Sequence, residues 1–289
     1  MSAPGLPTLL VTDWQPSASV LAATGAAAAL YLAGVRRVRG RWPRHRTVCF
    51  AGALAVVVLA LCSGVEAYDE RLLSAHMVQH MLLVLVAPAL ALLGAPLELT
   101  LRALPPSSRP RLARAIRRAA ALTGPLVCLA AFAAVLVLTH LPAFYDAALR
   151  HPLLHEAEHG LYLLAGTLMW WPLLHDDPAP ARRLSGLGRL LYIIAAMVPM
   201  ALVGAYLNRH PTLAYAAYGP PARALGISAV TDQQQAGAIM WVLGDLVMVV
   251  GGLWAAMSAM VAEERRQQAR DRRAGLTGGG LTGGGGLAG

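Results

Sequence analysis

Nine histidines are the residues of this chain best suited to chemistry, and three of them fall in one short stretch, His151-Pro-Leu-Leu-His155-Glu-Ala-Glu-His159. Spaced at i, i+4 and i+8, these imidazoles share one face of a helix. Pro152 suits a first helical position, so the histidines occupy the opening turns, with Glu158 at the edge of their face and Glu156 well off it. A second pair, His76 and His80, repeats the i, i+4 spacing with Gln79 beside it. Stacked imidazole pairs on two helices are half-sites for a metal ion. Headgroup water alone could satisfy one histidine at a membrane surface, but ionisable groups there are costly, and five on two helix faces favour a functional role.

Met77 and Met81 form another i, i+4 pair about a quarter turn round the second helix, and Met197, Met200 and Met240 fall in later apolar segments. Methionine commonly fills the core of a membrane bundle. Imidazole with nearby thioether would favour copper over zinc, magnesium or calcium, although imidazole alone suits several metals. Cys49, Cys62 and Cys128 are scattered singly, so neither a disulfide framework nor a thiolate site follows. The chain has no nucleotide-binding loop and no nucleophile paired with a base at helical spacing. No enzyme is expected, and any transport would not draw directly on ATP.

The elements that must position these residues are set by composition. With 57% hydrophobic and 13% charged residues over 289 positions, and a mean hydropathy of +0.54, the chain reads as an all-α polytopic membrane helix bundle. A hydrocarbon layer of roughly 30 Å takes about 20 helical residues. Seven apolar segments meet that length, over approximately 17–35, 47–65, 76–97, 120–139, 153–174, 189–208 and 236–261. Residues 17–261 are thus expected as one transmembrane domain, between an extracytoplasmic N-terminus at 1–16 and a cytoplasmic Arg-rich and Gly-rich tail at 262–289. The residues before the first segment lack a basic start, which argues against a signal peptide.

All the basic charge is arginine, and its distribution orients the bundle. Six arginines lie in 36–46, six in 98–119, three in 175–189 and five after Val261, against only Arg71, Arg150, Arg209 and Arg223 in the alternate loops. By the positive-inside rule the N-terminus is outside and the C-terminus cytoplasmic. The net charge of +9 is then explained by topology and anionic lipid, with no need for nucleic acid. This orientation puts His76, His80, His140, His151, His155, His159 and His210 at the outer face, and leaves His45 and His175 in inner loops.

Two acids in the last segment stand out. Asp232 opens its helix, where capping and the helix dipole account for it. Asp245 falls about 13 Å further along than Ala236, at 1.5 Å per residue, near the bilayer centre. It reads as a protonated carboxyl bonded to a neighbouring helix, or as part of a proton or ion relay.

Several motifs together carry a family resemblance. They are His76-Met-Val-Gln-His80-Met followed by Pro88 and Gly94-Ala-Pro96; His151-Pro-x-x-His155 with His159 and Trp170-Trp171-Pro172; and Asp232-Gln-Gln with Ala-Gly-x-x-Met240-Trp241. As a set they resemble the CtaG family of bacterial caa-type cytochrome c oxidase assembly factors, from the third apolar segment to the seventh. The resemblance implies a multi-pass protein of the bacterial plasma membrane that helps mature a haem-copper oxidase, whose subunits would be its partners, with copper handling as its role. It implies His76, His80, His155 and His159 as metal ligands, with His151 added; His140 joins on its position alone. Met77, Met81, Glu158, Asp232 and Met240 are secondary candidates, Glu158 as acceptor of a ligand's second ring N–H.

Three functions are thus open. The first is a copper metallochaperone for the oxidase. The second is a membrane oxidoreductase whose facing histidines clamp a haem. The third is copper uptake, with Met197, Met200 and Asp245 along an inward path. The geometric expectation is that the third and fifth segments pack with His76 and His80 facing His155 and His159.

Overall fold

Serine and proline punctuate the chain where apolar runs begin, and the helices follow them. The computed structural model describes residues 13–38, 42–122, 124–174 and 184–278; the first twelve residues, His175, Arg182, Arg183 and the glycine-rich end from 279 lie outside them. Every regular element among the described residues is helical. In chain order these are α1 (Ala18–Arg37), α2 (Arg44–Cys62), α3 (Gly64–Asp69), α4 (Leu73–Met81), α5 (Ala87–Leu93), α6 (Pro96–Ala103), α7 (Arg109–Leu122) and α8 (Pro125–Thr139). They continue as α9 (Pro142–Arg150), α10 (Pro152–Leu174), α11 (Gly186–Arg209), α12 (Gly219–Ala224), α13 (Ala229–Ala238) and α14 (Gly244–Gly278). Ser17, Ser63, Ser185 and Ser228 cap α1, α3, α11 and α13, each accepting a backbone N–H from the first turn. Prolines 96, 125 and 142 sit at the start of their helices, where a missing N–H costs nothing.

Two π-helical turns, Leu82–Val86 and Ile239–Leu243, join α4 to α5 and α13 to α14. The chain therefore passes as one long rod from Leu73 to Ala103 and another from Ala229 onward. π turns insert a residue into the helical repeat and shift the faces on either side. The first follows His80 closely, after Met81.

Five of these rods are long and apolar enough to cross a membrane, and a sixth is obtained if the bent pair α8 and α9 is one span. The expected fourth segment, 120–139, corresponds mainly to α8. Its helix starts only at Pro125 and has 15 residues, about 22 Å of rise, before the chain turns by 71° into α9. The expected fifth segment forms the 23-residue α10 but is not among the rods apolar enough to be read as a span. His155, Glu158 and His159 lower its hydropathy, and all three are buried. As expected from their spacing, these three residues share one face of its first turns, and that face is buried.

The core lies between the second half of the rods, with Leu83, Phe132, Tyr162, Trp170, Met200 and Met240 at its centre. Leu126, Leu153, Leu202 and Val250 point outward and are largely exposed, an apolar exterior that a lipid layer would cover. Close approach of α10 to the first π turn depends on Gly166, where a Cβ would collide with the backbone carbonyl of Val84. At the end of the bundle near Trp42, Glu98 pairs with both Arg46 and Arg102, and those two guanidinium groups lie over the Trp42 ring.

Candidate metal centre

Asp232 positions the first histidine pair. The start of α4 has no cap of its own, and Asp232 of α13 supplies one across the bundle, accepting from the N–H of Leu73 at 2.6 Å and of Ser74 at 3.4 Å, and from the Ser74 hydroxyl. Asp232 thus caps a neighbouring helix besides lying in the first turn of its own. His76 and His80 then follow one and two turns in, each only 1% exposed. Their rings lie 4.1 Å apart.

The second pair comes from α10. His155 and His159 are buried, with ring centroids 4.5 Å apart, and His155 faces His76 at 5.6 Å. His140, the residue that ends α8, turns its ring to within 5.4 Å of His80, held by a 2.7 Å bond between its Nδ1 and the Leu136 carbonyl. Five imidazoles from three helices thus meet in one buried cluster. His151 stands apart: it is exposed at the boundary of α9 and α10, and helical spacing alone could not reveal that the chain bends before it. His210, also expected at the outer face, bonds through Nδ1 to the Thr212 carbonyl, and His45 is exposed.

Carboxylates complete the cluster, and two of the three are not evident from the sequence. Asp69 Oδ2 bonds His155 Nε2 at 2.9 Å. Glu66 accepts from Gln79 Nε2 at 2.6 Å, and Gln79 Oε1 in turn bonds His159 Nε2 at 2.9 Å. Glu158, a candidate from its spacing, is 1% exposed; it accepts the Tyr162 hydroxyl at 2.6 Å and lies 4.0 Å from His155 Nδ1. A signal for the missed pair exists: Glu66 and Asp69, three residues apart, close the second apolar run at the same end as the histidines. Ending the second segment at 65 and starting the third at 76 hides it, because a short helix, α3, forms between them after the Ser63 cap.

Tyrosines wall the cluster. Tyr145 packs against His76 at 5.0 Å and Tyr162 against His80 at 3.8 Å. From the segment after α11, Tyr215 stacks on Tyr145 and donates to the His140 carbonyl at 2.9 Å, and Tyr218 donates to the Asp69 carbonyl at 2.7 Å. Burial pushes the Tyr215 and Tyr218 hydroxyls above their ordinary value, so both stay protonated donors.

What the cluster lacks is as informative as what it holds. Both ring nitrogens of His76 and of His80, with His140 Nε2 and His155 Nδ1, are buried without a hydrogen-bond partner. Leaving a buried polar group unsatisfied costs about 1–3 kcal/mol, and six such atoms within one cluster need a common explanation. Three groups of side chains bring one ligand atom each within 4.8 Å of one another: Asp69, His76 and His155; His76, His80 and Glu158; and Glu66, Asp69 and His159. Orphaned imidazole nitrogens beside buried carboxylates fit a cation.

Of the methionine candidates, Met77 and Met240 are fully buried in the apolar core, and Met81 packs with Met200 near Gly244. Such burial among apolar side chains suits a packing role for the thioethers. Asp245, in the first turn of α14, is half-buried, with one carboxylate oxygen lacking a partner.

Residues 29–261 match the family described as cytochrome c oxidase caa3 assembly factor, Caa3_CtaG. The chain belongs to this family. The match takes in every helix that contributes to the cluster. The chain is also 30% identical over 288 residues to uncharacterized proteins of Mycobacterium bovis and Mycobacterium tuberculosis, and 28% identical over 253 residues to one of Mycobacterium leprae. These alignments cover 93%, 93% and 83% of this chain but only 43%, 43% and 38% of the relatives, so the chain spans less than half the length of the curated proteins it matches. No solved structure matches the chain. Family and fold together make this Caa3_CtaG member a helical protein with five rods, among the described residues, long and apolar enough to cross a membrane.

Proposed function

We infer that the chain binds copper in the buried histidine cluster and helps deliver it to the assembling oxidase, without itself catalysing a reaction. One observation carries this reading: the four unpartnered ring nitrogens of His76 and His80, enclosed with His140, His155 and three carboxylates. A neutral imidazole with no hydrogen bond has a lone pair to give, and a family devoted to a haem-copper oxidase supplies the ion it would be given to. Copper is here the cargo. The nitrogen donors suit it, and the carboxylates offset its charge within a buried site. Asp69 and Gln79 bond Nε2 of His155 and of His159 and so fix the two rings, and Nδ1 of His155 is left without a partner.

In this reading the protein lies in the bacterial plasma membrane, with seven crossings, an outer N-terminus and a cytoplasmic C-terminus. Residues 17–261 form the membrane domain, and oxidase subunits are the partners. The arginine asymmetry supports the orientation. The haem alternative loses support because Tyr145, Tyr162 and His140 pack directly against His76 and His80, where a porphyrin plane would have to enter.

Metal analysis of detergent-purified protein tests the proposal. We expect copper to co-purify or be taken up by the parent and to be lost from a His76→Ala, His155→Ala double variant of normal fold. Absence of copper uptake in the parent, or a haemochrome spectrum in pyridine, sinks it.

A further inference from the structure

The three ligand groups are not separate sites. Asp69 belongs both to the group with Glu66 and His159 and to the group with His76 and His155, while His76 belongs to that second group and to the one with His80 and Glu158. Each group therefore shares one side chain with the next. Their exposure is graded as well. Glu66 is the one partly exposed member, and every other residue in the three groups is buried.

The donor sets change at the first step of the series. The group containing Glu66 offers two carboxylates and one imidazole, the middle group one carboxylate and two imidazoles, and the last group two imidazoles and one carboxylate that is already bonded to Tyr162. Oxygen ligands take a hydrated divalent ion readily, whereas imidazole holds copper more selectively. An ion moving inward thus exchanges one charge-neutralising oxygen donor for a nitrogen donor at the first step, and at each step one ligand stays attached. The inward end has the strongest unmet demand, since His76 and His80 together hold four partnerless nitrogens.

Resting on the copper reading above, we propose that these overlapping groups form a loading path, in which the ion is taken up at Glu66, Asp69 and His159 and passed through Asp69 and then His76 to the inner position at His76, His80 and Glu158. Glu66 accordingly governs how fast the ion arrives more than how tightly it is finally held. Its bond to Gln79 can be kept by a glutamine, whose side-chain oxygen still accepts.

Stopped-flow mixing of the purified full chain with a Cu(II) salt, followed by quenching of tryptophan fluorescence, measures the rate, and equilibrium titration measures the final affinity. Glu66→Gln is expected to load about tenfold more slowly, the lower end of what a focused charge adds to an association rate, while losing far less final affinity than His80→Ala. Glu66→Asp, which keeps the charge, should restore most of the rate, and His80→Ala should abolish tight binding. In the parent, excess magnesium ion at matched ionic strength should slow copper loading without lowering the final amount, because it competes for oxygen donors and not for imidazole. That last measurement needs no variant to fold. A parent rate indifferent to magnesium, or a Glu66→Gln variant that loads at the parent rate, overturns the path while leaving the copper site intact. If Glu66→Gln weakens final affinity as much as His80→Ala, the three groups act as a single site and the path is wrong. A parent that takes up no copper removes both this proposal and the reading beneath it.

Discussion

His80 and His151 are chemically identical, and what separates them is burial. His80 lies in the cluster with both nitrogens unpartnered, while His151 sits exposed at the boundary of two helices. Replacing His80 by alanine removes a donor that no neighbour can replace, and copper affinity should fall by at least about 100-fold, or roughly 2.8 kcal/mol at about 1.4 kcal/mol per decade. His151→Ala should bind copper as the parent does. Competition titration against a chelator of known affinity measures both, and equal losses in the two variants would refute the assignment of ligands by burial. At this scale the sequence named five of the imidazoles that lie together, and Glu158: helical spacing stacks His76 on His80 and His155 on His159, while His140 is found by its position alone. It could not find Glu66 and Asp69, which reach the cluster only through the way α3 is set after α2.

Between elements, the cluster depends on two contacts that involve no ligand. The first is the cap that Asp232 makes on α4. Asp232→Ala leaves the Leu73 and Ser74 N–H groups without their acceptor, and should cost about 0.5–2 kcal/mol, as loss of a helix cap does. Thermal unfolding in detergent should show the loss, together with weaker copper binding from a loosened His76 and His80. The second contact is the approach of Gly166 to Val84, where a methyl group would meet backbone rather than a yielding side chain. Gly166→Ala is expected to destabilise the packing of α10 on the first π turn by about 1–3 kcal/mol, in the range of overpacked cores. Gly160 lies on the same helix with nothing within 4 Å of where an added methyl group would sit, so Gly160→Ala serves as the neutral control. Similar unfolding temperatures for both variants would show that the close approach contributes nothing. Neither contact is legible from periodicity, since an acid at a helix start and a glycine in a helix each have ordinary local explanations.

For the whole molecule, the arginine distribution predicts that the cluster faces the outside. A reporter active only outside the cytoplasm, fused after Ala262, should be silent, and the same reporter inserted in the 209–232 segment should be active. The reverse pattern would put the histidines on the cytoplasmic side and remove the argument for supplying copper from outside. What the sequence determined by itself is what composition and short-range spacing encode: an all-helical membrane chain, the approximate position of most rods, the stacked imidazole pairs and the family. Apolar length and the 3.6-residue repeat are local properties, so they survive without a fold. Only the tertiary structure decided that 125–150 is a bent pair, that 153–174 turns a polar face inward, and that Glu66 and Asp69 complete the site. Those outcomes follow from which face each rod presents to its neighbours, and a buried carboxylate is defined by neighbours that lie far away in sequence.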